Sequence, residues 1–184
     1  MTGNHLIAGL STRPHPKSKT SAATKSAIQS IGNTFNCKAV FFELSEVEPS
    51  LRAASYRIQL GGPAKSALDA IEQSGLLIVG MSVRAPTGYP AMLRYLLEMA
   101  DPTAIRRKPT ILVETHCNVP VAQSGELETR MLMGTFGLDV IADIRLSSRE
   151  LLKGILPGDE RMVDAVAVLH GAGFATDSSA FAAR

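Results

Sequence analysis

Long hydrophobic runs are scarce in this 184-residue sequence. The longest, Gly75 to Val83, is far short of the roughly 20 residues that a membrane-spanning helix needs. The apolar stretch from Leu6 to Leu10 is also short and follows no basic segment, so it lacks the pattern of a signal peptide. These absences predict a cytoplasmic protein that does not bind membranes.

Cysteine is scarce as well, since Cys37 and Cys117 are the only two in the chain. Their separation is not a metal-binding spacing, and His5, His15 and His170 do not add one. We therefore expect free thiols in a reducing compartment rather than a disulfide, and we expect no metal site.

A strong charge of either sign is also missing, because the net charge is only +2. A nucleic-acid-binding face is usually strongly basic, so we expect no nucleic-acid partner. One local basic cluster lies near the N-terminus and contains Arg13, Lys17, Lys19 and Lys25. The content of 45% hydrophobic and 20% charged residues is ordinary for a folded domain. The length fits a single domain over residues 1–184, with a frayed tail from about residue 171.

Short apolar runs alternate with longer helical patterns along the chain. The run GLLIVGM, from Gly75 to Met81, is apolar on both faces, as a central strand of a parallel sheet must be. Further strands are predicted at 5–9, 38–44, 110–115 and 139–146, and helices at 18–31, 64–73, 90–100, 126–136 and 159–170. Five strands interleaved with five helices predict an α/β fold with a right-handed, doubly wound parallel sheet.

The longest connection without a clear period runs from Ser45 to Gly62 and is predicted as a loop. Loops of this length are often functional or mobile. The alternative is that its larger side chains simply cover the core; these are Leu51, Tyr56, Ile58 and Leu60.

Ligands of open α/β sheets bind outside the carboxyl ends of the strands, at the switch point of the strand order. This rule selects three connections, which are Leu10 to Thr20, Ser82 to Tyr89, and Thr115 to Pro120. All three are rich in hydroxyl, amide or cationic side chains. They are therefore the candidate binding loops.

The first of these loops leaves a buried strand and enters a helix. Backbone N–H groups and the positive end of the helix dipole then point at one spot. Hydroxyls of Ser11, Ser18 and Thr20, together with Arg13, would complete a site for a phosphate monoester. The alternative is that Ser18 is only the N-cap of the helix and that the basic side chains are solvated.

Three other phosphate or cation sites are excluded by missing motifs. The chain has no G-x-x-x-x-G-K-[ST], which argues against a P-loop nucleotidase. It has no G-x-G-x-x-G after the first strand, which weakens a dinucleotide-binding interpretation. A response-regulator receiver needs acidic residues just after the first strand, where this chain has Ser, Thr and Arg.

Two motifs in register resemble those of the NAD(P)H-dependent FMN reductase family. Ala8-Gly9-Leu10-Ser11-Thr12-Arg13 followed by Ser18-Lys19-Thr20 resembles its G-S-x-R…S-x-[ST] phosphate loop. The segment PAMLRYLLE, from Pro90 to Glu98, resembles its P-G-x-L-K-x-x-L-D helix. The resemblance spans roughly Leu6 to Asn118 and is strongest to the reductases that supply alkanesulfonate monooxygenases. It implies a flavodoxin-like three-layer sandwich with a five-stranded parallel sheet of order 2-1-3-4-5.

The resemblance also implies which residues bind the FMN cofactor. The phosphate would be held by the first loop, and the isoalloxazine ring would lie beside the second and third loops. The residues so implied are Ser11, Arg13, Ser18, Lys19, Thr20, Ser82, Val83, Arg84, Ala85, Thr115, His116, Cys117 and Asn118.

Two of these loops depart from the family pattern. Arg84 replaces an aromatic residue that usually stacks on the ring, although a guanidinium can also stack on a flat ring. Arg84 would otherwise stabilise reduced flavin, contact a nicotinamide phosphate, or be solvated. His116 and Cys117 replace glycines. Because adjacent residues of one loop seldom face each other, we interpret them as a loop wall and not as a catalytic pair.

The function implied by the resemblance is hydride transfer from NADPH or NADH to FMN. The flavin carries this chemistry, so no catalytic acid, base or nucleophile is expected. The family further implies a homodimer or homotetramer, with the 91–100 helix, Met131 and Met133 as candidate contact surface, and a partner monooxygenase that receives reduced flavin. Packing on the sheet is the alternative for most of those side chains. Two other functions stay open: a quinone, azo- or nitro-compound reductase that retains its flavin, and a non-catalytic flavin- or phosphate-binding module.

Overall fold

Five parallel strands form one sheet in the order β2-β1-β3-β4-β5. The structure is a computed structural model that describes residues 6–13, 17–83, 91–116, 129–147, 149–150, 159–171 and 174. The strands are β1 (Leu6–Ser11), β2 (Lys38–Glu43), β3 (Leu76–Val83), β4 (Pro109–His116) and β5 (Asp139–Ser147). The predicted doubly wound parallel sheet and its strand order are confirmed.

Helices cover both faces of this sheet. Within the described residues they are α1 (Lys19–Phe35), α2 (Leu44–Arg52), α3 (Gly62–Gln73), α4 (Ala91–Glu98), α5 (Pro102–Ile105), α6 (129–135) and α7 (Asp159–Gly171), with a 3₁₀ turn at Arg57–Gln59. Residues 149–150 are also helical. No helix in the described part of the chain is long and apolar enough to cross a membrane.

The core consists of two apolar layers, one on each face of the sheet. Side chains of α2, α3 and α4 pack on one face, where β3 contributes Leu77, Val79 and Met81. Side chains of α1 and α7 pack on the other face, where β3 contributes Leu76 and Ile78. Burial on both faces is the physical reason for the continuous apolar run of this strand.

Helix α1 begins and ends with well-defined caps. Ser18 is its N-cap, and the Ser18 side chain accepts a hydrogen bond from the Ser21 N–H. Asn36 ends the helix in the left-handed conformation, and its N–H bonds back to the carbonyls of Asn33 and Gly32. The helix is therefore about one turn longer at its C-terminal end than the predicted 18–31.

The predicted loop from Ser45 to Gly62 is wrong over its first half, where α2 forms. Leu44, Val47 and Leu51 recur at helical spacing and are buried in the core. Pro49 lies inside this helix and obscures its pattern in the sequence, because proline removes an internal N–H donor.

The alternative for this segment was that four larger side chains cover the core, and these divide into two pairs. Leu51 and Leu60 are buried, as the alternative requires. Tyr56 and Ile58 are 70% and 94% exposed, so the alternative does not hold for them.

The described end of the chain packs against α1. Phe174 lies edge-on to Phe35, with 5.3 Å between the ring centroids, and the Phe174 N–H donates to the Leu169 carbonyl. The predicted frayed tail otherwise lies outside the described residues.

Candidate functional site

The carboxyl ends of β1, β3 and β4 meet at one edge of the sheet. Ser11 pairs with Gly80 across β1 and β3, while Ser82 pairs with Thr115 across β3 and β4. His116 is the last residue of β4 and is half-buried. The sheet thus brings together the start of all three predicted binding loops.

The chain leaves β1 through a turn that is tied to β3. The Thr12 N–H donates to the Gly80 carbonyl at 2.8 Å, and the Thr12 hydroxyl donates to the same oxygen at 3.1 Å. Arg13 follows directly and is half-buried. Thr12 therefore sets the direction in which the first loop starts, a role that was not predicted from the sequence.

Three serine hydroxyls form a chain at the start of α1. The Ser21 hydroxyl donates to the Ser11 hydroxyl at 2.9 Å and lies 3.1 Å from the Ser18 hydroxyl. Because Ser21 has one hydroxyl proton, which Ser11 receives, Ser18 is the donor to Ser21. These hydrogen bonds connect two predicted phosphate ligands, Ser11 and Ser18. Ser21 itself was missed, although its place at the third helical position is a usual partner of an N-cap.

Thr20 is only 3% exposed, and its hydroxyl lies 2.6 Å from the hydroxyl of Thr115 on β4. Thr115 donates in turn to the Met81 carbonyl at 3.3 Å. The structure therefore turns the Thr20 side chain towards β4. Lys19, at the first helical position, is exposed.

A buried carboxylate supports the first loop from β2. Glu43 is 4% exposed, and its two oxygens accept the Lys17 N–H at 3.1 and 3.3 Å. The Lys25 ammonium lies 3.7 Å from one of these oxygens and 4.7 Å from the centre of the Phe41 ring. Lys17 itself adopts a left-handed conformation, with φ of 58°. None of these contacts was foreseen from the sequence.

Helix α1 approaches the sheet closely because β3 has a glycine beneath it. A Cβ atom at Gly80 would lie 1.8 Å from the Thr24 hydroxyl oxygen. Thr24 donates this hydroxyl to the Thr20 carbonyl at 2.7 Å. The first turn of α1 is therefore held directly over the end of β3.

A cluster of acidic and arginine side chains lies beside the end of β4, on the face of the sheet opposite α1. Glu114 is fully buried, and one of its oxygens lies 3.8 Å from Arg145 on β5. Asp143 forms an ion pair with Arg130 of α6 and lies 3.8 Å from Arg145. These arginines compensate the buried acidic charge next to His116. Sequence patterns give no signal for the cluster, because it depends on pairing between β4 and β5.

Several predicted site residues lie outside the described part of the chain, namely Arg84, Ala85, Cys117 and Asn118. For Val83 the structure describes the backbone, which pairs with His116. Ser82 is half-buried beside Thr115. Among the described residues, no group of three or more His, Cys, Asp or Glu side chains could hold a metal ion.

Curated relatives of this chain are FMN reductases. It is 27% identical to an NADPH FMN reductase of Pseudomonas aeruginosa over 115 residues. The matched region covers 62% of this chain and 61% of the relative. It is 29% identical over 109 residues to the NADH-dependent FMN reductase SfnF of Pseudomonas fluorescens. This match covers 59% of this chain and 56% of the relative. The chain thus spans about three-fifths of the length of these relatives. No family model matches it.

Three solved structures with the same fold have FMN or flavodoxin in their names. An NADH:FMN oxidoreductase in its apo form superposes with a TM-score of 0.75 at 16% identity, covering 95% of this chain and 92% of the other. General stress protein 14 of Treponema denticola, in complex with FMN, gives 0.56 at 11% identity, covering 90% and 95%. A Streptococcus pneumonia flavodoxin gives 0.53 at 9% identity, covering 91% and 99%. The flavodoxin-like fold and the resemblance to FMN reductases are both confirmed.

Proposed function

We propose that this protein is an NAD(P)H-dependent FMN reductase, which transfers hydride from a nicotinamide cofactor to FMN. The observation that carries the proposal is the joined hydroxyl chain of Ser11, Ser21 and Ser18 at the N-terminus of α1, directly beside the ends of β1 and β3. Both the position in the fold and the chemistry of the donors suit the phosphate of a mononucleotide. The FMN reductase relatives support the same interpretation.

The residues at this edge fit an FMN phosphate in number and charge. Arg13 and the positive end of α1 would balance its negative charge. Ser18 lies half-buried at the surface of the loop, where its hydroxyl can turn from Ser21 to a ligand. Ser11 is fully buried and supports the loop from beneath. Thr20, whose hydroxyl bonds to Thr115, would contribute through its backbone N–H, as Lys19 would beside it.

The ring of the flavin would extend from this site along the ends of β3 and β4. Ser82 and Thr115 lie there as neighbours, with His116 at the end of β4. The redox chemistry belongs to the bound flavin. The part of this chain is to hold the phosphate, to orient the ring against the strand ends and to shield it from water. We include Val83, Arg84, Ala85, Cys117 and Asn118 in the proposed ring site.

We further propose a cytoplasmic homo-oligomer that delivers reduced flavin to a monooxygenase. Met131 on α6 supports a contact between subunits, because this large apolar side chain is 63% exposed. Met133, the other candidate, is fully buried, which follows the packing alternative. Helix α4 likewise turns Leu93, Leu96 and Leu97 into the core, which follows the packing alternative.

The experiment that tests the proposal is oxidation of NADH and NADPH by the purified protein in air, with and without added FMN, followed by absorbance. The proposal expects oxidation that saturates with free FMN. Turnover that needs a quinone, azo or nitro acceptor and no free FMN would instead identify a reductase that retains its flavin. FMN binding without oxidation would identify a binding module. Absence of both oxidation and FMN binding would contradict the flavin assignment itself.

A further inference from the structure

Glu43 is a charged side chain buried next to the first loop. It is the last residue of β2 and pairs in register with Ser11, the last residue of β1. A buried carboxylate is costly unless hydrogen bonds and an opposite charge compensate it. The carboxylate must therefore have partners that offset this cost, and two lysines supply them.

The first partner is the backbone of Lys17, whose N–H points between the two carboxylate oxygens at 3.1 and 3.3 Å. The second is the ammonium of Lys25, at 3.7 Å. Lys25 is held on α1 and rests over the ring of Phe41. The negative charge of Glu43 is therefore balanced by a cation that approaches from α1, so it does not stand alone next to an anion-binding loop.

Lys17 directly precedes Ser18, the N-cap of α1, so its backbone conformation sets the direction in which the chain enters the helix. Lys17 has a φ of 58°, a left-handed conformation that a residue with a Cβ atom rarely adopts. Ser18, the N-cap and a proposed phosphate ligand, comes next. An acceptor that fixes the Lys17 N–H therefore also fixes the direction from which Ser18 and the first turn of α1 meet a ligand.

We propose that Glu43 is a positioning residue for the phosphate-binding loop. Its carboxylate holds Lys17 in the left-handed conformation and so presents Ser18 and the N-terminal N–H groups of α1 to the phosphate. The inference rests on the proposed function, since it concerns the loop that would bind the FMN phosphate. It predicts that losing this contact weakens binding of FMN but not of riboflavin, which has the same ring and no phosphate.

The first test compares two substitutions of the exposed Lys17 and measures Kd for FMN and for riboflavin by flavin fluorescence. Lys17→Pro removes the N–H and cannot adopt a positive φ. Lys17→Gly retains the N–H and tolerates that φ, while it loses the same charged side chain. We expect Lys17→Pro to weaken FMN binding about tenfold or more relative to Lys17→Gly, the range for losing a hydrogen bond to a charged group. Riboflavin binding should differ by less than about twofold between the two variants.

The second test changes the acceptor. Glu43→Gln retains one oxygen that can accept the Lys17 N–H, whereas Glu43→Ala retains none. Glu43→Gln should therefore stay within about threefold of the unmodified protein for FMN, and Glu43→Ala should lose about tenfold or more. Thermal unfolding checks that each variant folds. If Glu43→Ala does not fold, equal FMN affinities of the two Lys17 variants would still overturn the inference.

The outcomes separate this inference from the proposed function. If the unmodified protein does not bind FMN, both are overturned. If it binds FMN but the two Lys17 variants lose the same affinity, the loop does not depend on the Glu43 contact and only the inference is overturned. If Glu43→Gln loses as much as Glu43→Ala, the charge and not the hydrogen bond matters, which also overturns the inference. The inference is supported if Lys17→Pro and Glu43→Ala lose affinity for FMN but not for riboflavin, while Lys17→Gly and Glu43→Gln do not.

Discussion

The hydroxyls of Thr20 and Thr115 lie 2.6 Å apart and join the first turn of α1 to the end of β4. Both residues are buried, and 95 positions of sequence separate them. Thr115 donates to the Met81 carbonyl, so Thr20 is the donor to Thr115. In the proposed flavin site this contact links the loop that would hold the phosphate to the strand that would flank the ring.

The two threonines should be energetically coupled. Thr115→Val leaves the buried Thr20 hydroxyl without its acceptor and should cost about 1–3 kcal/mol of unfolding free energy. Thr20→Val should cost less, because Thr115 keeps the Met81 carbonyl. Replacing both should cost less than the sum of the single changes, measured by urea unfolding. Thr34→Val, at an exposed hydroxyl of α1, is the control and should stay within about 0.5 kcal/mol. Additive losses would mean that the two hydroxyls do not interact.

Ser18 has two roles that one substitution can separate, because it is both the N-cap of α1 and a proposed phosphate ligand. Ser18→Asp keeps a cap acceptor, and its charge is favourable at this helix end, so stability should change by less than about 0.5 kcal/mol. The same charge should repel a phosphate and weaken FMN about tenfold or more relative to riboflavin. The measurement is flavin titration together with thermal unfolding. Unchanged FMN affinity would place the phosphate elsewhere.

Arg13→Ala combined with Ser18→Ala tests the loop from the opposite direction, by removing donors. FMN affinity should fall more than riboflavin affinity, since only FMN carries the phosphate that these groups would contact. Loss of the cap should also cost about 1 kcal/mol of unfolding free energy. Flavin titration of the double variant measures both affinities. Equal losses for the two ligands would show that the loop is misassigned.

Local patterns in the sequence were sufficient to predict the layers of this fold. The GLLIVGM run predicts a central strand because its large side chains, from Leu76 to Val79 and at Met81, are buried in one or the other apolar layer. The same reasoning failed for α2. Three buried positions, Leu44, Val47 and Leu51, are too few to stand out beside Pro49 and the polar residues around it.

The candidate site divides in the same way. Ser11 and Ser18 could be selected because a strand end and a helix start are local features. The roles of Thr12, Ser21 and Glu43 depend on which strands are neighbours and in what register, which local patterns do not contain. Glu43 is the clearest case: its contact with Lys17 joins positions 26 residues apart.

Gly80 and Thr24 form a size-matched pair between β3 and α1. Gly80→Ala places a Cβ atom 1.8 Å from the Thr24 hydroxyl oxygen and 2.9 Å from its Cβ, so α1 must shift. We expect a loss of about 1–3 kcal/mol by urea unfolding, and weaker FMN binding because the first turn of α1 moves. Thr24→Ala in the same chain should restore part of the loss, because it removes the hydroxyl but keeps the Cβ atom at 2.9 Å. Gly62→Ala is the control, since a Cβ atom there meets nothing within 4 Å. A harmless Gly80→Ala would contradict this packing.

Glu72 gives the protein a pH-dependent contribution to stability. Its carboxylate accepts hydrogen bonds from the Arg57 guanidinium and, at 2.7 Å, from the Asp101 N–H. Burial opposes ionisation, but these bonds outweigh it and hold the pKa of Glu72 below its ordinary value of 4.5. A lowered carboxyl pKa stabilises the folded state above the ordinary value, and the contribution is lost as the pH falls through the folded-state pKa.

Glu72→Gln should therefore lower the unfolding free energy by about 1–3 kcal/mol at pH 7, and the difference from the unmodified protein should shrink below pH 4.5. Urea unfolding at a series of pH values between neutral and acid measures this difference. Glu98→Gln breaks only an exposed pair with Arg94 one helical turn away and should change stability by less than about 0.5 kcal/mol throughout. A difference for Glu72→Gln that is constant with pH would mean that its carboxylate has the same proton affinity in the folded and unfolded chain. The hydrogen bonds from Arg57 and Asp101 would then contribute nothing specific to the ionised form.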